Sequence, residues 1–241
     1  MIQEIKYVNG IGSDPYLNLA IEEYLLENVG PDACILYLWQ NENTIVIGKN
    51  QNPWKECRVR EFEQDGGHLV RRLSGGGAVF HDMGNLNFTF LVRKENYDVE
   101  KQLEVILRAV KKLGIDAEKS GRNDITVSGR KFSGNAFYTR GDKCYHHGTL
   151  MVSSDMQKLS KYLCVSKDKL ALKGVDSVRS RVTNLSEHAP DMTIDVLKEK
   201  LLEAFEETYE LKADLCEQKD LDRKALSEGR EKFSSWEWLY G

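Results

Sequence analysis

Apolar residues recur with helical spacing in several segments of this 241-residue chain. After Asp14 and Pro15, the run YLNLAIEEYLLEN has apolar positions three or four residues apart, which predicts a helix at about 15–28. The same period predicts an amphipathic helix over 98–113, ending at Gly114. Further helical patterns cover 54–65, 154–163, 194–209 and 218–232.

Runs rich in β-forming residues predict strands between these helices. ILYLW (35–39) and TIVIG (44–48) are separated by the turn-like QNEN, which predicts a hairpin. In LNFTF (86–90) apolar and polar residues alternate, which predicts a half-buried strand, and from 117 to 153 β-like pieces are interrupted by glycines. Strands and helices mix without a strict βαβ order, so we expect an α+β fold.

Composition narrows the classes of function. The net charge of −4 argues against general nucleic-acid binding, which needs a basic surface. We expect no membrane span, because no stretch approaches 18 uninterrupted apolar residues, and no secretory signal, because MIQEIKYVNG lacks that pattern. The five cysteines are scattered without a CxxC pair, which favours reduced thiols in the cytoplasm over disulfides or a zinc site.

The segment RRLSGGGAVF (71–80) places three glycines directly after two arginines. It is not a Walker loop, because no Lys-Ser/Thr follows, and a strand rather than a helix is predicted after it, which argues against a dinucleotide-binding turn. One interpretation is a tight hairpin. The other is an anion site, in which glycine N–H groups form a concave nest beside the permanently charged Arg72.

A second glycine-bearing segment, SGRNDITVSGRKFSGNAF, contains Arg122, Arg130 and Lys131 against a single Asp124. Lys131 is either a solvated hairpin lysine or a cation that neutralises charge developing in a reaction. Asn123 and Asp124 offer groups for sugar hydroxyls or for a hydrated Mg²⁺.

His146 and His147 are neighbours on a predicted strand, so they point to opposite faces and are poorly placed to bind one metal ion. We expect one of them to face a pocket. Cys57 and Cys144 are the candidates for a nucleophile, but nothing beside either one in the sequence activates a thiol, so buried, unreactive thiols are favoured.

These segments together resemble the bacterial lipoate–protein ligase A family. The resemblance rests on RRLSGGGAVFHDMGNLNFTF, SGRNDITVSGRKFSGNAF, YHHGTLMVSSD, KGVDSVRSRVTNL and SSWEWLYG, and on DPYLNLAIEEYLL and NTIVIGKNQNPWKEC near the start. It covers essentially the whole chain in the family's order. It implies a central mixed β-sheet flanked by helices, as in biotin protein ligases and, more distantly, class II tRNA synthetases.

The resemblance also implies a two-step reaction. Lipoate and ATP, with Mg²⁺, give lipoyl-AMP, and the lipoyl group then passes to a lysine of an apo lipoyl domain of a 2-oxoacid dehydrogenase or of glycine cleavage protein H. Lys131 is implied as the catalytic residue, contacting the lipoyl carbonyl and the phosphate. Asp124 is the candidate metal ligand on the strength of its carboxylate, as described above. The implied ATP and lipoyl-AMP site comprises Arg72, Ser74, Gly75, Gly76, Gly77, Ala78, Val79, Phe80, Asn123, Asp124, Lys131, Gly134 and His147. Val79, Phe88 and Phe137 are expected to line the lipoyl tail.

Family members usually continue past the WEW segment into a small accessory domain tied to adenylation, whereas this sequence stops at Gly241. The expectation is therefore one catalytic domain over 1–241, with the accessory domain absent or supplied as a separate chain. An alternative is a transferase that uses preformed lipoyl-AMP or takes an octanoyl or lipoyl group from a carrier protein. A non-catalytic lipoate or nucleotide sensor is a further alternative.

Overall fold

A mixed eight-stranded sheet forms the centre of the molecule in the computed structural model, which describes residues 1–121, 123–164 and 182–241. Its strands are β1 (Glu4–Asn9), β2 (Ala33–Trp39), β6 (Asn85–Arg93), β7 (Ala117–Ser120), β8 (Asp124–Val127), β9 (Arg130–Arg140), β10 (Lys143–Met151) and β11 (Ala213–Cys216). They lie in the order β11-β1-β2-β6-β10-β9-β8-β7. Strand β1 pairs in parallel with β2 and β11, and the other pairs are antiparallel.

A smaller sheet of three strands carries the glycine segment. It consists of β3 (Thr44–Ile47), β4 (His68–Arg71) and β5 (Val79–His81), with β3 in the middle. Strand β4 runs parallel to β3 and β5 runs antiparallel to it. The turn between β4 and β5 must therefore pass over the end of β3, and this turn contains the three glycines.

Helices cover both faces of the central sheet. Their bounds are α1 (Pro15–Asn28), α2 (Pro53–Glu56), α3 (Val59–Gln64), α4 (Val99–Lys111), α5 (Met156–Tyr162), α6 (Ile194–Tyr209), α7 (Arg223–Ser234) and α8 (Trp236–Tyr240). The Asp14 carboxylate caps α1 by accepting from the N–H groups of Tyr16 and Leu17, and Pro15 occupies the first turn, where its missing N–H costs nothing. Gly114, at φ +80°, follows the end of α4.

The two helical layers bury different residues of the same strands. Phe88 and Phe90 of β6 pack in a core with Phe205 of α6 and the apolar stripe of α4. On the other face, Tyr37 of β2 packs in a second core with α1 and with Phe233 of α7. Strand β6 is consequently buried along its length except at Arg93, so the prediction that this strand is half-buried was wrong.

Most of the predicted elements are confirmed, including the α+β class, the helices at 15–28 and 194–209, and β-structure between 117 and 153. The predicted helix over 54–65 is two short helices, and the one predicted from 218 begins at Arg223, after a 3₁₀ turn. The predicted hairpin was wrong, because β2 joins the central sheet while β3 joins the smaller one. Both strands are fully buried, so neither has a polar face that would fix a shared register.

Candidate functional site

A cavity of about 350 Å³ lies where the glycine turn of the smaller sheet faces strands β6, β9 and β10. Its wall includes apolar side chains, among them Leu19, Trp39 and Val46, and a set of polar and charged groups. Ten of the sequence-predicted residues line it: Arg72, Gly76, Gly77, Ala78, Val79, Asn123, Asp124, Lys131, Gly134 and His147. The fold thus brings the two glycine-bearing segments, about fifty residues apart in sequence, to a single cavity.

The guanidinium of Arg72 organises the glycine turn from within. Its Nη2 donates to the carbonyl oxygens of Gly75 (2.7 Å) and Gly77 (2.8 Å), and its Nη1 donates to that of Val46 (3.1 Å). Its Nε donates to the Ser74 hydroxyl at 3.1 Å. The side chain is 5% exposed, and burial lowers the pKa of Arg72 to about 10, so it stays charged at neutral pH.

The hydrogen bonds that Arg72 makes to the turn leave N–H groups of the turn available to a ligand. Because the C=O and the following N–H of a peptide unit point in opposite directions, carbonyls drawn toward Arg72 turn the N–H groups of Gly76 and Ala78 away from it. The N–H groups of Gly75, Gly76 and Gly77 donate to no acceptor among the described residues. Consecutive N–H donors beside a fixed cation are the arrangement that proteins use to bind phosphate.

His147 connects this turn to a buried carboxylate. Its Nε2 lies 2.9 Å from the Ser74 hydroxyl and its Nδ1 lies 2.8 Å from Glu22 Oε1. Glu22 is 1% exposed and also accepts from the Thr89 hydroxyl at 2.7 Å. A continuous chain of hydrogen bonds therefore runs from Arg72 through Ser74 and His147 to Glu22, with opposite charges at its two ends.

Lys131 lies on the opposite wall of the cavity. Its Nζ is 2.7 Å from Asp124 Oδ1, and both side chains are about two-fifths exposed, at 36% and 43%. A Cβ on Gly134 would lie 2.8 Å from Lys131 Nζ, so a larger residue at this position would require the end of the lysine side chain to shift. The ammonium is thus held at the cavity wall by a carboxylate that a stronger anion can displace.

Residues 14–206 match the family model described as the lipoyl protein ligase A/B catalytic domain. The chain belongs to this family. Over its whole length it is 43% identical to the lipoate-protein ligase A of Bdellovibrio bacteriovorus, of which it covers 73%.

Solved structures of ligases also resemble it closely. P. falciparum LipL1 in complex with lipoate gives a TM-score of 0.87 at 32% identity, covering 98% of this chain and 74% of that one. A bi-partite lipoate protein ligase from Thermoplasma acidophilum, studied with its E2 lipoyl domain, gives 0.87 at 27% identity, with coverages of 99% and 96%. A lipoate-protein ligase A bound with ATP gives 0.84 at 26% identity, with coverages of 100% and 99%.

Three residues implied by resemblance to the ligase family do not line the cavity. Ser74 is 1% exposed and supports His147, while Gly75 is exposed to solvent and contributes its carbonyl to Arg72. Phe80 packs against Phe62 and Tyr162 in the core of the smaller sheet. Each of the three shapes the glycine turn or the sheet that carries it.

The expected lining of the lipoyl tail was partly wrong. Val79 lines the cavity, whereas Phe88 belongs to the core beneath α4 and α6. Phe137 stacks on His146, on that same face of the sheet. The apolar wall of the cavity is formed instead by Leu19, Trp39, Val46, Val79 and Ala136.

The two adjacent histidines do point to opposite faces, as expected: His147 faces the cavity and His146 faces α4. Within the described residues, no group of three or more His, Cys, Asp or Glu side chains could hold a metal ion, and no helix is long and apolar enough to cross a membrane.

Cys57 and Cys144 are buried, and burial raises the pKa of the Cys57 thiol to about 12, so that thiol is not activated. Arg122 lies outside the described residues.

Two important residues were not found by sequence reasoning. Glu22 is one of two adjacent glutamates in α1, and only the packing of α1 against the sheet shows that it is buried. Arg71 was quoted with Arg72 but given no role. Its guanidinium donates to the carbonyls of Lys49 (2.7 Å), Gln51 (2.8 Å), Trp238 (3.0 Å) and Leu239 (2.5 Å). The paired arginines thus organise adjacent loops, one of which joins the glycine turn through the Lys49 N–H and the Ser74 carbonyl.

Proposed function

We propose that this chain is a lipoate–protein ligase, which activates lipoate with ATP and transfers the lipoyl group to a lysine of an acceptor domain. The observation that carries the proposal is the cavity, whose wall combines Lys131, apolar side chains and the glycine turn, where the N–H groups of Gly76 and Gly77 have no acceptor among the described residues. One part of such a cavity suits an adenylate and the other suits an acyl chain. Family membership and neighbours described with lipoate or with ATP support the same assignment.

The first step joins two anions, so negative charge has to be spread as they approach. A lipoate carboxylate oxygen forms a bond to the α-phosphorus of ATP, and the bond to pyrophosphate breaks. We propose that the glycine-turn N–H groups receive the phosphate oxygens while Lys131 leaves Asp124 to contact both the phosphate and the lipoyl carbonyl. The glycine turn is already held in place by Arg72, so of these donors only Lys131 has to change its partner.

In the second step the acceptor lysine amine forms a bond to the lipoyl carbonyl carbon, AMP leaves with the bonding electrons, and the amine loses a proton. The reaction requires no covalent enzyme intermediate. His81 and Asn87 line the cavity, and their Nε2 and Nδ2 atoms are buried without a hydrogen-bond partner among the described residues. We expect polar groups of the substrate, or water carried with it, to satisfy them.

Mg²⁺ is a further part of the proposal. The cavity offers the carboxylate of Asp124, with the amide of Asn123 beside it, and this small donor set fits an ion that is bound mainly through substrate phosphates and water. Asp124 would supply one oxygen to that ion, which would neutralise phosphate charge.

The acceptors we propose are apo lipoyl domains of 2-oxoacid dehydrogenases and glycine cleavage protein H. We further propose that residues 1–241 form one catalytic domain, and that an accessory domain or chain assists adenylation. The neighbour from T. acidophilum, described as bi-partite and as working with an E2 lipoyl domain, supports both points by analogy. The five free cysteines are consistent with the cytoplasmic location that we propose.

The test is to weigh an apo lipoyl domain by mass spectrometry after incubation with this chain and either lipoate plus ATP or preformed lipoyl-AMP. We expect efficient transfer from lipoyl-AMP and slower modification from lipoate plus ATP. Lys131→Ala should lower the transfer rate by about 10²–10³-fold. Its control is Lys119→Ala, which removes an exposed lysine paired with Glu100. Absence of modification under both conditions would refute the ligase assignment.

The carrier-dependent transferase is tested with the same acceptor. Such an enzyme passes the acyl group through a cysteine thioester, so Cys57→Ala and Cys144→Ala would abolish its activity. The ligase proposal instead predicts that both variants transfer lipoyl from lipoyl-AMP at the unmodified rate, because both thiols are buried outside the cavity wall. Loss of transfer in either variant, with its fold intact by circular dichroism, would favour the thioester route.

A further inference from the structure

His146 is fully buried on the face of the central sheet that is opposite the cavity. Phe88, Phe90 and Phe137 surround its ring. Burying a histidine at such an apolar position costs free energy unless its ring nitrogens have hydrogen-bond partners. Its hydrogen-bond partners connect it to the functional site.

The direction of each hydrogen bond around His146 follows from the donors available. Asn135 donates from Nδ2 to the carbonyl oxygen of Asn123 at 3.0 Å, which fixes its amide and turns its Oδ1 toward His146. His146 Nε2 lies 2.8 Å from that oxygen and must therefore carry the proton. Burial lowers the pKa of His146 to about 3, so the ring is neutral and Nδ1 accepts. Gln102 Oε1 lies 3.1 Å from Nδ1, and two acceptors cannot share a hydrogen bond. Gln102 Nε2 is otherwise buried without a partner among the described residues, so the amide is assigned with its NH₂ group toward Nδ1.

The chain of contacts ends at the turn between β7 and β8. The Asn123 carbonyl receives a second hydrogen bond, 2.8 Å long, from the backbone N–H of Asn135. Asp124 follows directly and pairs with Lys131 at 2.7 Å. Gly148 leaves room for this connection, because a Cβ there would lie 2.8 Å from Asn135 Oδ1. The cavity wall that carries Asn123, Asp124 and Lys131 is thus tied through the sheet to a histidine on its far side.

We propose that His146 is a positioning residue for lipoyl-AMP: by orienting Asn135 from the far face of the sheet, it holds the Asn123–Asp124 turn where the adenylate binds. This inference rests on the ligase function proposed above. His146 does not itself line the cavity and acts through Asn135, which does line it. The substrate-facing neighbour His147 belongs to a separate hydrogen-bond chain, so the two adjacent histidines have different tasks.

Two conservative substitutions distinguish the effect of the hydrogen bond to Asn135 from the effect of having any polar side chain at position 146. His146→Gln places an amide nitrogen near the level of Nε2, where it can still donate to Asn135. His146→Asn places its amide near the level of Nδ1, so it keeps the Gln102 contact and loses Asn135. Calorimetric titration with lipoyl-AMP, and the KM and kcat of transfer from lipoyl-AMP to an apo lipoyl domain, should be measured for both.

We expect His146→Asn to raise the Kd and KM for lipoyl-AMP about five- to tenfold, with a smaller effect on kcat, and His146→Gln to stay within about twofold of the unmodified chain. In an Asn135→Ala background, His146→Asn should add less than twofold, because the contact it acts through is gone. Cys144→Ala, on the same strand and face, is the control for core damage: it should lower the urea midpoint and leave the Kd unchanged.

Three results would overturn the inference: an unchanged Kd in His146→Asn, equal losses in the Gln and Asn variants, or multiplicative effects of His146→Asn and Asn135→Ala. An unmodified chain that neither binds nor transfers lipoyl-AMP would instead refute the proposed ligase function. If His146→Asn does not fold, two results together must hold for the inference to stand: Asn135→Ala raises the Kd by at least threefold, and His146→Gln leaves it within about twofold. Because Asn135 also lines the cavity, the first result is not sufficient without the second.

Discussion

Gly76→Ala should destabilise the fold far more than the same change at either neighbouring glycine. Gly76 has a φ of +94°, which an alanine adopts only at a cost of about 1–3 kcal/mol. A Cβ there would also lie 2.8 Å from Arg72 Nη2, which donates to two carbonyls of the turn. Losing one such charged hydrogen bond costs about 1.5–3 kcal/mol. Because the turn can relax partly, we expect the free energy of unfolding to fall by about 2–4 kcal/mol.

The control is Gly75→Ala, since a Cβ on Gly75 would meet nothing within 4 Å and this residue does not line the cavity. Urea unfolding followed by tryptophan fluorescence gives the stability, and calorimetric titration with lipoyl-AMP gives the affinity. Gly76→Ala should lose stability and bind at least tenfold more weakly, whereas Gly75→Ala should change neither measurably. Equal behaviour of the two variants would refute the claim that Arg72 and the backbone of Gly76 shape the turn.

Three further predictions concern the same region. Gly77→Ala should leave the urea midpoint unchanged but weaken lipoyl-AMP binding about tenfold, because its Cβ would enter an open space at the cavity wall; unchanged affinity in the titration would contradict this. Glu22→Ala removes the buried oxygen that accepts from the Thr89 hydroxyl and contacts His147 Nδ1, so we expect urea unfolding to show a loss of about 1–3 kcal/mol, and a loss under about 0.5 kcal/mol would contradict the hydrogen-bond chain. Burial lowers the pKa of His81 and His146 to about 3, below the value of 6.5 expected in the unfolded chain. The unfolded state therefore binds more protons below pH 6.5, so the free energy of unfolding should fall by about 1 kcal/mol per histidine between pH 7 and 5.5. In His146→Gln the contribution of His146 to this fall should be absent.

Local patterns predicted the helices well because each one buries a continuous stripe and begins at a recognisable cap, as at Asp14. For the glycine turn, elementary arguments left a tight hairpin and an anion site open; the anion site is favoured by the N–H groups beside Arg72 and stays a prediction. That it faces Lys131 was implied only by the family resemblance, because no local signal connects segments about fifty residues apart.

The errors share a physical cause, which is burial on both sides of a strand. Phe88 alternates with polar residues, but Asn87 and Thr89 are buried as well, so alternation revealed two faces without showing which one bears the cavity. The hairpin failed for a related reason, because β2 and β3 are buried throughout and their connection does not determine their partners. Glu22 was missed because a glutamate in an amphipathic helix is ordinarily solvated, and only tertiary contacts show otherwise.

The contacts of Arg71 have a consequence for biosynthesis. Its guanidinium joins the loop beside the glycine turn to backbone carbonyls of Trp238 and Leu239, and the Trp238 indole N–H donates back to the Arg71 carbonyl. The partners are 167 and 168 positions apart in the chain. A nascent polypeptide can form β3, β4 and β5 early, but Arg71 cannot make its hydrogen bonds to Trp238 and Leu239 until α8 leaves the ribosome. The loop beside the glycine turn therefore acquires these contacts only after a segment 167 residues further along the chain has been synthesised.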